Sequence, residues 1–216
     1  MIINHHPSEP LLLGYAAGTL DAGEQVALAT HLLHCGACRA FVGAMESGGG
    51  SLLDELPGEA MASDALSRLE ARLDEPWSEP PGAAPANERL KDVPGLPAYV
   101  RSLPAASWSW VAPGLHIQRL KTPAASPTRV FLLRARAGTR LLQHGHDGVE
   151  MTCILSGSFS HDGQRYAPGD FDFGADESDH DIAIGSENAC ICLVAMRGKL
   201  QLRGIFGRMI QPLIAI

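Results

Sequence analysis

The sequence lacks the segments that would direct a chain into or across a membrane. It does not open with a basic stretch, an apolar core and a small-residue cleavage site, so we expect no signal peptide. It also contains no apolar run long enough to span a bilayer. These features predict a cytoplasmic protein with no membrane partner.

An even set of cysteines, typical of disulfide scaffolds, is also missing. The 216 residues include five cysteines, an odd number, and two of these have the spacing of metal ligands. Such usage indicates a reducing compartment. A chain of this length has room for one or two domains. Its 45% apolar residues are enough to form a hydrophobic core.

Basic residues are scarce in the first part of the chain. Up to residue 89 there are four Lys and Arg against thirteen Asp and Glu, a net charge of −9, whereas the remainder carries +2. An acidic half binds nucleic acid poorly and suits a partner protein with a basic surface. We therefore expect no direct nucleic-acid contact, which disfavours a transcription factor that reads DNA through a basic helix.

The stretch that ends at Cys38 has the spacing of a metal site. His31 and Cys35 share one face of a helix, and Cys38 returns to that face. Two thiolates and one imidazole favour zinc, and a closed tetrahedral site needs a fourth ligand. Either His5 or His6 could supply it, and the spacing does not choose between them. A redox Cys-x-x-Cys would follow a strand, whereas both flanks here predict helices.

Helices are predicted on both sides of this stretch. Asp21 and Glu24 have the spacing of a capping box, which predicts the start of the preceding helix. The following helix should begin near Cys35 and break at the three glycines 48–50.

A later helix carries an apolar stripe at helical spacing. We expect this stripe to pack mainly on the other helices, and the alternative is that part of it faces a partner. Its members are Met61, Ala65, Leu66, Leu69 and Leu73.

A proline-rich segment from Pro76 to Pro85 indicates a linker between two domains. The predicted fold class is α+β and multidomain. We expect a zinc-bound helical domain over residues 1–75, a linker over 76–90, an all-β jelly roll over 91–200 and a C-terminal tail over 201–216.

Short apolar runs separated by glycines predict the strands of the jelly roll. The runs are 108–111, 116–120, 129–133, 151–155, 164–166, 171–173, 181–184 and 190–194. Cys190 and Cys192 should share one strand face, most simply as small buried residues, and Cys153 should lie in the core.

A second set of metal ligands lies among these strands. His144 and His146 are two residues apart, on one face of a strand, and Glu150 and His180 follow. Three imidazoles and a carboxylate suit zinc, iron, manganese or nickel, so the ligands leave the metal open.

The order and spacing of this set resemble the cupin superfamily. The residues Gly138, His144, His146, Glu150 and Gly157 match the first cupin motif. The segment Pro168-Gly169-Asp170, followed by His180, resembles the second. The proline that usually precedes the last histidine is missing, and Ile184 stands where an asparagine is usual.

The whole chain resembles the ChrR-type zinc anti-sigma factors. The resemblance is carried by the opening His-His-Pro, Tyr15–Leu20, Ala29–Leu32, the Cys35/Cys38 pair, the cupin motif and Cys190-Ile-Cys192. It implies a protein that sequesters an ECF-type sigma factor and releases it when the cupin domain responds to singlet oxygen. By match, His6, His31, Cys35 and Cys38 would hold zinc, and His144, His146, Glu150 and His180 would hold zinc or another divalent transition metal.

The alternative is a metal-dependent cupin enzyme, such as a dioxygenase, with an accessory zinc module. The sequence offers no further acid–base pair for it, with His116 and His161 as loose candidates only. We therefore expect a regulator and assign no catalytic residue.

Overall fold

The computed structural model describes residues 2–76, 85–122, 126–141, 144–146, 148–175, 182–198 and 200–202. Helices occupy the first part of the chain and strands the second, which confirms the predicted α+β class. The helices are α1 (Glu9–Ala16), α2 (Ala22–His34), α3 (Gly36–Asp54), α4 (Ala65–Leu73) and, after a 3-10 turn at Glu88–Leu90, α5 (Ala98–Arg101).

The helices α2 and α3 are separated only by Cys35, whose extended backbone turns the chain. No single helix of the described ranges has the length and apolar character needed to cross a membrane. Only α2 and α3 taken together pass on length and composition, and the chain bends by 119° between them.

The strands of the second part form three antiparallel sheets. The described residues give eleven strands: β1 (Ser109–Ala112), β2 (Leu115–Leu120), β3 (Arg129–Ala135), β4 (His144–His146), β5 (Val149–Ser156), β6 (Phe159–His161), β7 (Gln164–Tyr166), β8 (Phe171–Ala175), β9 (Ile182–Ile184), β10 (Cys190–Met196) and β11 (Leu200–Leu202). The large sheet has the order β1-β2-β3-β10-β5-β8. The smaller ones are β7-β6-β9 and β11-β4.

The large sheet is buried on both faces, because alternate side chains of its strands enter two different cores. On β10, Cys190 and Cys192 join the core that also contains residues of β6 and β9. Leu193 and Ala195 enter the other core, which contains Leu28 of α2. The helices and the barrel therefore share one hydrophobic core.

Asp21 fastens the start of α2 to the barrel. Its carboxylate completes the predicted capping box with Glu24, which confirms that prediction. It also accepts hydrogen bonds from the hydroxyl groups of Ser126 and Thr128, each at 2.7 Å. Arg197, just after β10, pairs with both acidic side chains. The Asp21 carboxylate thus both caps α2 and joins this helix to the barrel.

The prediction that glycines 48–50 end α3 is wrong, since the helix continues to Asp54. A glycine costs about 1 kcal/mol relative to alanine within a helix but does not prevent its hydrogen bonds. The hydroxyl groups of Ser47 and Ser51 donate to carbonyl groups one turn earlier along this stretch.

The prediction that the apolar stripe of α4 packs on the other helices is also wrong. Leu66, Leu69 and Leu73 are 65%, 55% and 76% exposed. Within the described residues, α4 buries none of its side chains. Its apolar face is therefore open to solvent.

Replacing Asp21 by asparagine should lower the free energy of unfolding by about 1–3 kcal/mol at pH 7, because a charged acceptor at a cap is lost. Burial alone would raise the pKa of Asp21, but bonds from Thr128, Ser126 and the backbone amides outweigh it and hold the pKa below its usual value. Its contribution is therefore complete above about pH 4 and is lost as the pH falls through the lowered pKa.

Denaturant unfolding of Asp21→Asn and wild type at pH 7 and pH 3 checks this. The difference between the two proteins should shrink at pH 3. The matched control is Asp74→Asn, at an exposed carboxylate after α4. Equal stability of all three proteins at pH 7 would contradict the role given to Asp21.

Candidate functional site

Four side chains from three parts of the helical region meet at one point. His6 precedes α1, His31 lies in the last turn of α2, Cys35 lies between α2 and α3, and Cys38 lies in the first turn of α3. One nitrogen or sulfur atom from each residue lies within 4.8 Å of all the others. We call these four residues the His₂Cys₂ cluster.

The distances within the cluster fit a tetrahedral metal ion. His31 Nε2 lies 3.3 Å from Cys38 Sγ, and His6 Nδ1 lies 3.4 Å from Cys35 Sγ and 3.5 Å from Cys38 Sγ. Bond lengths of about 2.3 Å to sulfur and 2.0–2.1 Å to nitrogen put the N and S ligands of a tetrahedral zinc about 3.5 Å apart. The donors and their separations therefore suit zinc.

The fold prepares His31 to be a neutral ligand. Its ring is fully buried, and Nδ1 donates to the carbonyl oxygen of Gly169 at 2.8 Å. Because a carbonyl group only accepts, the proton is on Nδ1 and the lone pair of Nε2 points into the cluster. Burial lowers the pKa of His31 to about 4, so the ring is uncharged at neutral pH.

The thiol groups of the cluster favour a cation between them. Burial, together with a hydrogen bond and the charge of Cys35, raises the pKa of Cys38 to about 12. Two adjacent thiolates cannot both form here unless a positive charge offsets their repulsion. A divalent metal ion supplies that charge, so the cluster supports an N-terminal metal site.

The spacing left open whether His5 or His6 is the fourth ligand, and the two side chains point in different directions. His6 points to the cluster, whereas His5 stacks on Tyr166 with the ring centres 4.1 Å apart. The Nδ1 atom of His5 lies 3.7 Å from Asp170 Oδ2. The two neighbouring histidines thus face opposite ways, one toward the helices and one toward the barrel.

The second predicted set of ligands is described only in part. His144 and His146 are the two ends of the short strand β4, which pairs with β11. Glu150 lies on β5, where its Oε1 accepts from Thr152 Oγ1 at 3.2 Å. His180 lies outside the described residues.

Cys190 and Cys192 share one face of β10, as predicted, and lie in the barrel interior. A hydrogen bond with Cys190, burial and the negative charge of nearby Glu150 raise the pKa of the Cys192 thiol well above its usual value. Cys153 is buried in the core shared with the helices, also as predicted. Burial also raises the pKa of the Cys153 thiol, so the thiols of Cys153 and Cys192 are protonated at neutral pH.

The sequence missed one acid–base pair in the barrel. His161 Nδ1 lies 3.0 Å from Asp172 Oδ2, and the two side chains are 11% and 15% exposed. Their separation in the sequence gave no signal for this contact, because β6 and β8 belong to different sheets. The pair links these two sheets.

Sequence reasoning also missed the partner that orients His31. Pro168-Gly169-Asp170 was identified only as part of a cupin motif, and its spacing carries no information about the helical region. In the structure this turn contacts His31 through Gly169 and His5 through Asp170.

Each half of the chain matches a known protein family. Residues 98–200 match the family described as the ChrR cupin-like domain. Residues 8–39 match a zinc-finger family, and this range contains three members of the His₂Cys₂ cluster.

Similarity to individual proteins extends over the full length. The chain is 34% identical over 217 residues to the anti-sigma-E factor ChrR of Cereibacter sphaeroides, with all of both chains covered. It also resembles ChrR in the crystal structure of Rhodobacter sphaeroides SigE bound to that anti-sigma factor. That match has a TM-score of 0.72 and 33% identity, and covers 90% of this chain and 99% of the other. The chain therefore belongs to the ChrR family of anti-sigma factors.

Proposed function

We propose that this anti-sigma factor sequesters an ECF-type sigma factor and releases it when the barrel detects singlet oxygen or a related oxidant. The observation that carries the proposal is the likeness, over 90% of this chain, to an anti-sigma factor solved in complex with SigE. A regulatory role agrees with the family, so we assign no catalytic residue. The protein would act in the cytoplasm, where its partner meets RNA polymerase.

We propose that the domains follow the sequence boundaries closely. An anti-sigma domain over residues 1–75 is joined by a linker over 76–90 to a cupin domain over 91–200, and residues 201–216 form a tail. Residues 77–84 of the linker lie outside the described residues. Strand β11 adds the start of the tail to the barrel, because it pairs with β4 as far as Leu202.

His6, His31, Cys35 and Cys38 would hold zinc in the anti-sigma domain. Zinc would cross-link the N-terminal segment, α2 and α3, and so add metal-binding free energy to the folding of this part of the chain. The chain's own part is to bury His31 as a neutral ligand, to bend at Cys35, and to place Cys38 at the start of α3, where the helix dipole favours a thiolate.

The variant Cys38→Ser should lose one equivalent of zinc and the ability to hold the sigma factor. Structural zinc contributes on the order of 10 kcal/mol to folding, so the helices around the cluster should loosen. Metal analysis of purified protein and co-purification with a co-expressed sigma factor measure the two effects.

The matched control is Cys153→Ser, which removes an equally buried thiol outside the cluster and should keep the full zinc content. Full zinc content in Cys38→Ser would show that the cluster does not bind the metal.

The open face of α4 is the surface we assign to the partner. Its exposed leucines 66, 69 and 73 provide apolar contact, and the net charge of −9 up to residue 89 complements a basic polymerase-binding surface. The side chains of the stripe need no movement to become available, because none of them is buried in the free protein.

Replacing Leu69 by aspartate should weaken sigma-factor binding at least ten-fold, because a charge would enter an apolar contact. Ser67→Asp adds the same charge to the same exposed helix off the stripe and should have little effect. Affinity and association rate are measured with purified proteins at two salt concentrations. Both variants should associate faster at low salt if charge steers the encounter. Equal loss in both variants would contradict the assignment of the stripe.

The barrel site is the proposed sensor. His144, His146, Glu150 and His180 would hold zinc or another divalent transition metal. An oxidant that altered this site would act on the anti-sigma domain through the shared core, because α2 packs on β10 and β5. A response of ten- to a hundred-fold needs a change of about 1.4–2.8 kcal/mol in sigma-factor affinity.

The variants His144→Ala and Glu150→Ala should still inhibit the sigma factor but fail to respond to singlet oxygen. Cells that carry each variant are exposed to light and a photosensitiser while a sigma-dependent promoter is monitored. Exposed Glu187→Ala, on the loop before β10, is the control and should respond normally. Induction of the two site variants at the wild-type level would exclude this site as the sensor.

The second candidate function is a metal-dependent cupin enzyme, and the His161–Asp172 pair is the observation that favours it. Turnover of a small substrate by the purified protein would place this function first, provided that His161→Ala abolished it.

A further inference from the structure

The turn of residues 167–170 in the barrel contacts His31 of the His₂Cys₂ cluster directly. It also contacts His5, the residue before the cluster's His6. We infer that this turn is the outer shell of the metal centre, and that Asp170 is a positioning residue through which the barrel controls how firmly the metal is held. This inference rests on the proposed zinc centre and adds to it a specific means of regulation.

Asp170 holds the N-terminal segment in place. Its side chain is only 1% exposed, and Oδ1 accepts from the backbone amides of Asn4 at 2.8 Å and His5 at 3.1 Å. The amide of Phe171 donates to the carbonyl oxygen of His5 at 3.0 Å. The residue next along the segment is His6, so its approach to the cluster is fixed by these three bonds.

Gly169 holds the other histidine from the same side. Its carbonyl oxygen accepts from His31 Nδ1, which fixes the tautomer that leaves Nε2 free for the metal. Outer-shell partners of this kind orient a ligand and increase its affinity for the metal.

The position requires glycine for two reasons. Its φ is +90°, and a Cβ atom there would lie 2.8 Å from Ile3 Cδ1 and 3.2 Å from His34 Cβ. The turn is thus shaped for close contact with the N-terminal segment and with the end of α2. This tight packing is independent of the hydrogen bonds made by Asp170.

The turn is also tied to the strand that carries Glu150. The amide of Gly169 donates to the carbonyl oxygen of Ile154 at 2.8 Å, and the amide of Ile154 donates to that of Asp170 at 3.1 Å. Ile154 and Glu150 lie four residues apart on β5, a rise of about 13 Å. A displacement of β5 at Glu150 therefore has a short, hydrogen-bonded route to both histidines.

The test measures how fast the full-length protein gives up zinc to a coloured chelator in excess. The zinc that belongs to the cluster is obtained by difference from Cys38→Ser. We expect Asp170→Ala to release this zinc about ten-fold faster than wild type or more, the effect typical of an outer-shell loss. The visible spectrum of the cobalt-substituted protein should change as well, because the histidine ligands would shift.

Two further variants separate positioning from general damage. Asp172→Ala removes a carboxylate two positions along, which contacts His161, and should release zinc at the wild-type rate. Asp170→Asn keeps an oxygen that can accept from Asn4 and His5, and should behave more like wild type than like Asp170→Ala.

Zinc release by Asp170→Ala at the wild-type rate would overturn the inference and leave the zinc centre intact. Release by Asp170→Asn as fast as by Asp170→Ala would also overturn it, because the effect would then belong to the bond from Ala167 to Oδ2. A wild-type protein without Cys38-dependent zinc would instead refute the proposed metal centre.

Amide hydrogen exchange keeps the inference testable if Asp170→Ala does not fold. In the full-length Cys38→Ser protein, the amides of Asn4, His5 and Phe171 should exchange faster than in wild type, while those of the β2–β3 ladder should not change. Unchanged exchange at the three amides would overturn the coupling between the turn and the cluster.

Discussion

The buried imidazole of His31 is the contact on which the rest of the structure depends. One nitrogen donates to Gly169 in the barrel, and the other faces Cys38 in the cluster. The ring also packs edge-on against Phe171, with the centres 5.7 Å apart. An imidazole without partners would be costly at this depth, so the helices and the barrel must meet for His31 to be satisfied. The metal site and the interface between the two halves are therefore one feature.

This arrangement gives the shared core a function beyond stability. If the barrel were joined to the helices by the linker alone, a change at Glu150 would have no physical route to the His₂Cys₂ cluster. The packing of α2 on the large sheet supplies one, and the bonds of the turn 167–170 make it specific. Under the proposed function, an oxidant would act by favouring an arrangement in which the turn no longer supports the cluster. It would shift the equilibrium only by its differential effect on the two arrangements.

Local sequence signals predicted the parts of the fold that local chemistry determines. The capping box at Asp21 and Glu24 and the glycines at turns with positive φ, such as Gly138 and Gly157, are examples. The alternation along β10 correctly put Cys190 and Cys192 on one face. Each of these features depends on residues within a few positions of one another.

What the sequence could not provide depends on contacts between distant segments. The facing of His6 rather than His5 toward the cluster follows from bonds to Asp170, more than 160 residues away. The exposure of the α4 leucines could not be predicted for the same reason. An apolar stripe indicates an amphipathic helix but does not show which segment, if any, packs on its apolar face. The helical glycines 48–50 show the opposite limit, where a weak local preference was given too much weight.

The most direct measurement is amide exchange at Asn4, His5 and Phe171 in the complex of the full-length protein with its sigma factor, followed during exposure to singlet oxygen. If the barrel acts on the metal centre through the turn 167–170, these three amides should lose protection before or together with release of the sigma factor. Release of the sigma factor while all three amides remain protected would contradict the account.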